Sequence, residues 1–289
     1  MKTKIEHIGL GVLRFKNAIS LNPDIFSHIN DLKIKALNAH YTYVYNDDGS
    51  IKYATNLSGH RFTPEEVQNN CVRINNFNDL PEGAATEYFI GLEKELYNAL
   101  LGYISGFPMA LPCLWWKTKG HVLSYSSGSA LGLHADNDIN YMPNYEPDFQ
   151  LGTKHVLAAI AYLNDDYTGG EINFPYLNLT YQPVAGDILI FPANFVYAHE
   201  VGPIKSGDRY AYLAYYGHGS SDPEHGVTIT DDAPHIYSGQ VWMPNLFQDY
   251  KNFIELNNIS GPHTHIPLQR QFNSTGTRKE LSHGKTSTD

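Results

Sequence analysis

The chain has 289 residues, 42% hydrophobic and only 17% charged, and carries a net charge of −10 with histidine neutral. That much apolar material excludes wholesale disorder, and a long-range negative field without any offsetting run of Lys and Arg argues against nucleic acid and membrane as partners. Two cysteines, Cys71 and Cys113, are too few for a disulfide framework. No stretch approaches the roughly 18 apolar residues of a membrane span, and the first twenty residues lack the unbroken apolar core of a secretory signal, so the cytoplasm is the expected compartment.

In chain order, IEHIGLGVLRF reads as strand. SHINDLKIKALNAH carries Ile29, Leu32, Ile34 and Leu37 at helical spacing, with Ser27 as the expected N-cap. GAATEYFIGLEKELYNALLGYI is the best helix. Phe89, Leu92, Leu96, Leu100 and Ile104 form its apolar stripe, and Gly106 and Pro108 follow as stop signals.

From about Leu114 the pattern changes. LWWKTKGHVLSYSSG, KHVLAAIAYLND, GEINFPYLNLTYQP, GDILIFP and RYAYLAYYGHG are short segments rich in β-branched and aromatic residues, separated by Gly, Pro, Asn and Asp clusters. Such spacing predicts a β-sandwich or barrel. No helix-length pattern separates the strands, which argues against a parallel α/β sheet. After Gly219 the chain is irregular apart from one amphipathic helix in PNLFQDYKNFIELNN, and residues 269–289 read as a disordered tail.

The candidate chemistry lies in the strand-rich part. His134 and Asp136 in GLHADND are two apart, so on an extended chain both side chains face one side. Imidazole with carboxylate suits a borderline divalent metal. A His-x-Asp pair is expected about once by chance in a chain with 14 His, so the pair alone says little. His199 lies 65 positions beyond His134, just after GDILIFP. A lone His there is most often satisfied on a loop. Arg209 opens the strand RYAYLAYY. If it points inward it needs a partner, and a bound carboxylate would supply one through a bidentate contact.

The order of these pieces says more than any one of them. Tyr125-x-x-Gly128 precedes His134-x-Asp136; then come AYLNDDYTGGEINF, PVAGDILIFP, His199 and SGDRYAYLAYY. Over about Leu114 to Gly219 the chain resembles the iron(II)/2-oxoglutarate dioxygenases, in the branch that looks like prolyl 4-hydroxylase catalytic domains. The resemblance implies that His134, Asp136 and His199 hold Fe(II) on one face, leaving three positions for 2-oxoglutarate and O2. It implies that Arg209 pairs with the distal carboxylate of 2-oxoglutarate and that Tyr125 offers its hydroxyl to the same group. Many relatives have Lys where this chain has Arg209; either supplies the charge. Related halogenases have Gly or Ala in place of the carboxylate, so Asp136 favours hydroxylation.

The expected architecture is mainly β with flanking helices (α+β), around a double-stranded β-helix, or jelly roll. One structural domain is expected: 1–113 as a buttress of helices and flanking strands, 114–219 as the catalytic core, 220–268 as a cap with one helix, and 269–289 as the tail. The implied activity is hydroxylation of an unactivated C–H bond, with succinate and CO2 as co-products. A free amino acid or small metabolite is the preferred substrate and a peptidyl-prolyl group the alternative. A non-catalytic or 2-oxoglutarate-independent cupin-like binding protein is the reading from another class.

Other residues have plainer readings. Gly169, Gly170 and Gly186 serve tight turns with positive φ. Glu171 and Asp187 are candidates for groups supporting the site, although hairpin ends are rich in acids. His263-Thr-His265 has metal-pair spacing but no third ligand nearby. His218 and His225 could line a substrate entrance, His121 and His155 read as packing or exposed residues, and Trp115 and Trp116 as core or edge fillers. The segments 137–153 and 220–237 are candidate substrate loops, the first a candidate lid.

Overall fold

The structure is a computed structural model that describes residues 4–56, 61–69, 72–74, 83–118, 120–138, 154–218, 240–261 and 263–269. The second candidate loop, most of the first, His225, Cys71 and nearly all of the expected tail lie outside the described residues.

Strands β1 (Lys4–Gly9) and β2 (Val12–Lys16) form a hairpin that turns at Gly11, whose φ of 71° suits glycine. Helix α1 (Ile25–His40) follows, then a three-stranded sheet of β3 (Tyr41–Tyr45), β4 (Ile51–Asn56) and β5 (Arg61–Phe62). Next come α2 (Pro64–Asn69), β6 (Val72–Ile74) and the long α3 (Ala84–Gly106).

The remaining strands are β7 (Trp116–Thr118), β8 (His121–Tyr125), β9 (Leu131–His134), β10 (His155–Tyr162), β11 (Thr168–Gly169), β12 (Ile172–Phe174), β13 (Leu179–Tyr181), β14 (Ile188–Pro192), β15 (His199–Val201), β16 (Ile204–Ser206), β17 (Arg209–Gly217) and β18 (Gln240–Trp242). Helix α4 (Leu246–Leu256) follows them.

Two antiparallel sheets face each other. The larger runs β1-β2-β14-β10-β17, and β17 then pairs with β8 along its first half and β7 along its second. The smaller runs β13-β12-β15-β9. The chain passes from one sheet to the other: β8, β10, β14 and β17 belong to the first, β9, β12, β13 and β15 to the second. This is the winding of a double-stranded β-helix, the expected fold. Residues ahead of 114 add strands to the same large sheet, through β2 against β14 and β6 against β8.

Side-chain alternation decides what each face of the large sheet holds. On β17, Tyr210, Tyr212, Ala214 and Tyr216 pack with the helices, while Ala211, Leu213 and Tyr215 pack into the barrel interior. Both faces are buried, so the nine-residue strand reads as a nearly continuous apolar run. Helix α3 buries the expected stripe, Phe89, Leu92, Leu96, Leu100 and Ile104, against the first face. Each such side chain contributes about 1.5–3 kcal/mol of transfer free energy.

Helix α1 departs from expectation at its start. Its N-cap is Asp24, and Ser27 lies inside the first turn with its hydroxyl donating to the Asp24 carbonyl. The buried stripe is Ile25, Ile29 and Leu32, whereas Ile34 is 60% exposed. Burial of Ile25 draws the helix back by most of a turn, which local capping preference could not reveal. The pattern of the last helix turns Phe247, Tyr250, Phe253 and Ile254 to one side. Tyr250 and Ile254 are buried as expected, Leu246 takes the third buried place, and Phe247 and Phe253 are half-buried against the same core.

Candidate metal centre

His134 ends β9 and His199 begins β15, and the two are direct cross-strand partners in the antiparallel register. Pairing of two strands therefore closes the gap between residues far apart in sequence. Their ring centroids are 4.5 Å apart. Asp136 lies two residues past His134, and its carboxylate meets both rings: His134 Nε2 is 3.6 Å from Oδ1 and His199 Nε2 is 4.0 Å from Oδ2. One donor atom from each of the three residues falls within 4.8 Å of the others, and this is the one such His/Cys/Asp/Glu group found among the described residues.

The orientation of both imidazoles is fixed from behind. His134 Nδ1 is 2.8 Å from the Gly132 carbonyl, and His199 Nδ1 is 3.1 Å from the Tyr197 carbonyl. A carbonyl only accepts, so each Nδ1 carries the proton and each neutral ring presents its Nε2 lone pair to the centre. Phe174 and Phe191 flank the His199 ring at 5.3 and 5.0 Å and hold it from the sides.

The carboxylate is left incomplete. Tyr215 donates to Asp136 Oδ1 at 3.0 Å, while the buried Oδ2 has no hydrogen-bond partner. The Asp136 side chain is 4% exposed, and an unmatched buried carboxylate oxygen is costly. Burial pushes its pKa up, but in the metal-free site protonated His199, the hydrogen bond and charge of His134, and His155 outweigh that and hold it at about 2. Burial lowers the pKa of His199 more than Asp136 restores it, whereas at His134 the carboxylate overcomes burial and raises it. Two aimed nitrogen lone pairs and one unmatched anionic oxygen fit a divalent cation of the Fe(II) or Zn(II) class.

A cavity of about 130 Å³ opens from these three residues into the barrel. Its walls include Leu123, Ile160, Leu213 and Val201, and Tyr125 and Arg209 line it too. Those two are cross-strand partners in the register of β8 with β17. The Arg209 guanidinium is buried at 1% exposure, lying 4.7 Å from the Tyr125 ring centre and 5.5 Å from that of Tyr162. A guanidinium held between aromatic faces in an apolar barrel is preorganised for a planar anion. Gly170, at φ 70°, packs under it: a Cβ there would meet Ile204 Cδ1 at 2.5 Å and Arg209 Cδ at 3.3 Å. The volume is close to that of a cavity of about 150 Å³ that holds benzene, the scale of one small ligand.

All five residues singled out from the sequence, His134, Asp136, His199, Tyr125 and Arg209, line this one cavity. Sequence reasoning missed Tyr162, Tyr167, Tyr215 and His155. Burial raises the hydroxyl pKa of both Tyr162 and Tyr167 against the opposing charge of Arg209. His155 is buried and bonds the Asp136 carbonyl at 2.9 Å, so the reading of it as a packing or exposed residue was incomplete. Strand parity could have found Tyr215, which is six residues after Arg209 and so faces the same side.

Other candidates lie elsewhere. Asp187 has its partners outside the cavity: Arg14, Tyr181 and the Asn17 backbone N–H satisfy it just ahead of β14 in the large sheet. Glu171 accepts from Gly202 through its main-chain carbonyl, in the smaller sheet. His263 and His265 are exposed, as is His218. His121 is buried, Trp116 is core with its indole N–H on the His218 carbonyl, and Trp115 is 39% exposed.

Residues 120–217 match the family model of the 2OG-Fe(II) oxygenase superfamily. This segment is a 2OG-Fe(II) oxygenase domain. Enzymes of the superfamily use Fe(II), 2-oxoglutarate and O2, and the donor set of the oxygenase domain suits that metal. No curated protein matches the chain. Among solved structures, the chain is similar to the viral collagen prolyl hydroxylase of Paramecium Bursaria Chlorella virus-1 in its 2OG complex (15% identity, TM-score 0.43, 73% of this chain and 98% of that one). It is also similar to a Trichoplax adhaerens prolyl hydroxylase in complex with a hypoxia inducible factor peptide fragment (17%, 0.44, 72% and 83%). A third is a Pseudomonas putida prolyl-4-hydroxylase (14%, 0.42, 73% and 94%). No helix among the described residues is long and apolar enough to cross a membrane.

Proposed function

We propose that His134, Asp136 and His199 hold Fe(II) and that the enzyme hydroxylates an unactivated C–H bond. The observation that carries this reading is the pairing, in one cavity, of an unmatched Asp136 oxygen between two aimed imidazoles with a buried Arg209 on the same wall lining. Arg209 binds the distal carboxylate of 2-oxoglutarate by charge and paired N–H donors, with the Tyr125 hydroxyl as a further donor. Bound there, Fe(II) supplies the activation of O2. One oxygen atom goes to the substrate C–H and the other to succinate, as 2-oxoglutarate loses CO2. The apolar walls exclude water and keep the oxidising chemistry on the substrate.

For the substrate we propose a free amino acid or small metabolite. A chain of net charge −10 without a long basic run is poorly suited to a polyanion. Short proline-containing peptides are the alternative, and one assay covers both.

Anaerobic titration with Fe(II) and 2-oxoglutarate should give the weak visible charge-transfer band of the chelate. Arg209→Ala should keep Fe(II) and lose at least about 30-fold in 2-oxoglutarate affinity, as expected when one partner of a buried charge pair is truncated at roughly 2–5 kcal/mol. A metal enzyme of the cupin type that does not use 2-oxoglutarate would be indifferent to that change. Succinate release across amino acids and short prolyl peptides then selects the substrate class.

A further inference from the structure

We infer that Tyr215 and His155 are positioning residues that make Asp136 a donor of one oxygen, a refinement that rests on the metal reading above. Tyr215 is buried at 4% and faces the cavity, and its hydroxyl donates to Asp136 Oδ1 at 3.0 Å. The other oxygen, Oδ2, is the one without a hydrogen-bond partner. The phenol thus occupies one side of the carboxylate and leaves the other to a cation.

Tyr215 is itself held rigidly. Its ring lies 3.9 Å from that of His155 at an interplanar angle of 11°, and Trp116 abuts the far imidazole at 5.9 Å and 61°. Its backbone N–H donates to Thr118 Oγ1 at 2.9 Å. His155 also reaches the metal loop directly, since its Nδ1 lies 2.9 Å from the Asp136 carbonyl. A carbonyl only accepts, so His155 Nδ1 is the donor. One stacked pair therefore fixes both ends of Asp136, the side chain through Tyr215 and the main chain through His155.

The consequence is a count of coordination positions. Three protein donors leave three places, two for 2-oxoglutarate and one for O2. A carboxylate free to turn both oxygens inward would take a fourth place and fill the last vacancy. The hydroxyl of Tyr215 prevents that turn, and the His155 contact keeps the loop from yielding.

Nitric oxide tests this without turnover, because it needs a vacant position on Fe(II). The parent enzyme, loaded anaerobically with Fe(II) and 2-oxoglutarate, should take up nitric oxide and give a nitrosyl electron paramagnetic resonance signal. Tyr215→Phe keeps the ring stack and removes one oxygen. It should bind Fe(II) within about tenfold of the parent yet lose roughly 10- to 100-fold in nitric oxide affinity, the size of effect that outer partners of metal ligands have on metal affinity or activity. His155→Ala should shift in the same direction, and His155→Gln, which keeps an N–H for the Asp136 carbonyl, should recover most of the loss. A Tyr215→Phe enzyme with the parent's nitric oxide affinity and signal would overturn the inference, as would one that stays folded by circular dichroism but loses Fe(II). A parent that binds no Fe(II) would remove the metal reading itself.

Discussion

Two buried aspartates in this molecule receive opposite treatment. Asp187, 1% exposed just ahead of β14 in the large sheet, is paired with both Nε and Nη2 of Arg14 at 2.6 Å, accepts from Tyr181 at 3.0 Å and takes the Asn17 backbone N–H at 3.0 Å. Asp136, 4% exposed in the barrel, has one phenol bonded to Oδ1 and no hydrogen bond on Oδ2, with the two imidazole Nε2 atoms 3.6 and 4.0 Å from the carboxylate. A carboxylate that serves the fold is neutralised from within the chain, because an unpaired buried charge is costly. The carboxylate proposed to hold a cation is left less complete by the chain alone. Arg14 belongs to the N-terminal hairpin, so the Asp187 clasp also ties residues ahead of the core into the sheet.

Variants at the two sites should separate stability from binding. Asp136→Ala should abolish tight Fe(II) binding, because it removes one of the three proposed ligands itself. The metal-free variant should unfold in urea within about 1 kcal/mol of the parent, since the carboxylate it lacks was only half satisfied. Added metal should raise the Tm of the parent and not of the variant. Arg14→Leu should do the reverse, lowering the unfolding free energy by about 3 kcal/mol by stranding Asp187, while Fe(II) affinity stays unchanged. Tyr181→Phe removes one of several bonds to Asp187 and should lower stability by about 1 kcal/mol in the same unfolding assay. The smallest effect is expected of His263→Ala combined with His265→Ala. It should leave metal stoichiometry at parental levels by elemental analysis, because neither exposed imidazole joins a third donor among the described residues.

Much of this was legible in the sequence for identifiable reasons. The grouping of His134, Asp136 and His199 was legible through the order of motifs that carries the resemblance to the dioxygenases, and pairing of β9 with β15 supplies the register in which the two histidines meet. The stripe of α3 was legible because 3.6-residue periodicity is local. Tyr215 was hidden among the tyrosines of RYAYLAYY, where composition is uniform and only parity separates Arg209, Leu213 and Tyr215 from Tyr210, Tyr212 and Tyr216. Asp187 was read as a possible support of the site because its partner, Arg14, lies 173 positions away, and nothing local names that pairing. The start of α1 was misplaced for a related reason: the burial of Ile25 is a tertiary event, and it overrode the capping preference of Ser27.

The most direct test is a crystal structure grown anaerobically with Mn(II), as a redox-silent stand-in for Fe(II), and 2-oxoglutarate. The account predicts the metal on Nε2 of His134, Nε2 of His199 and a single oxygen of Asp136, with the far carboxylate of 2-oxoglutarate on Arg209. Metal bound away from these three side chains, or 2-oxoglutarate seated with Arg209 untouched, would contradict it.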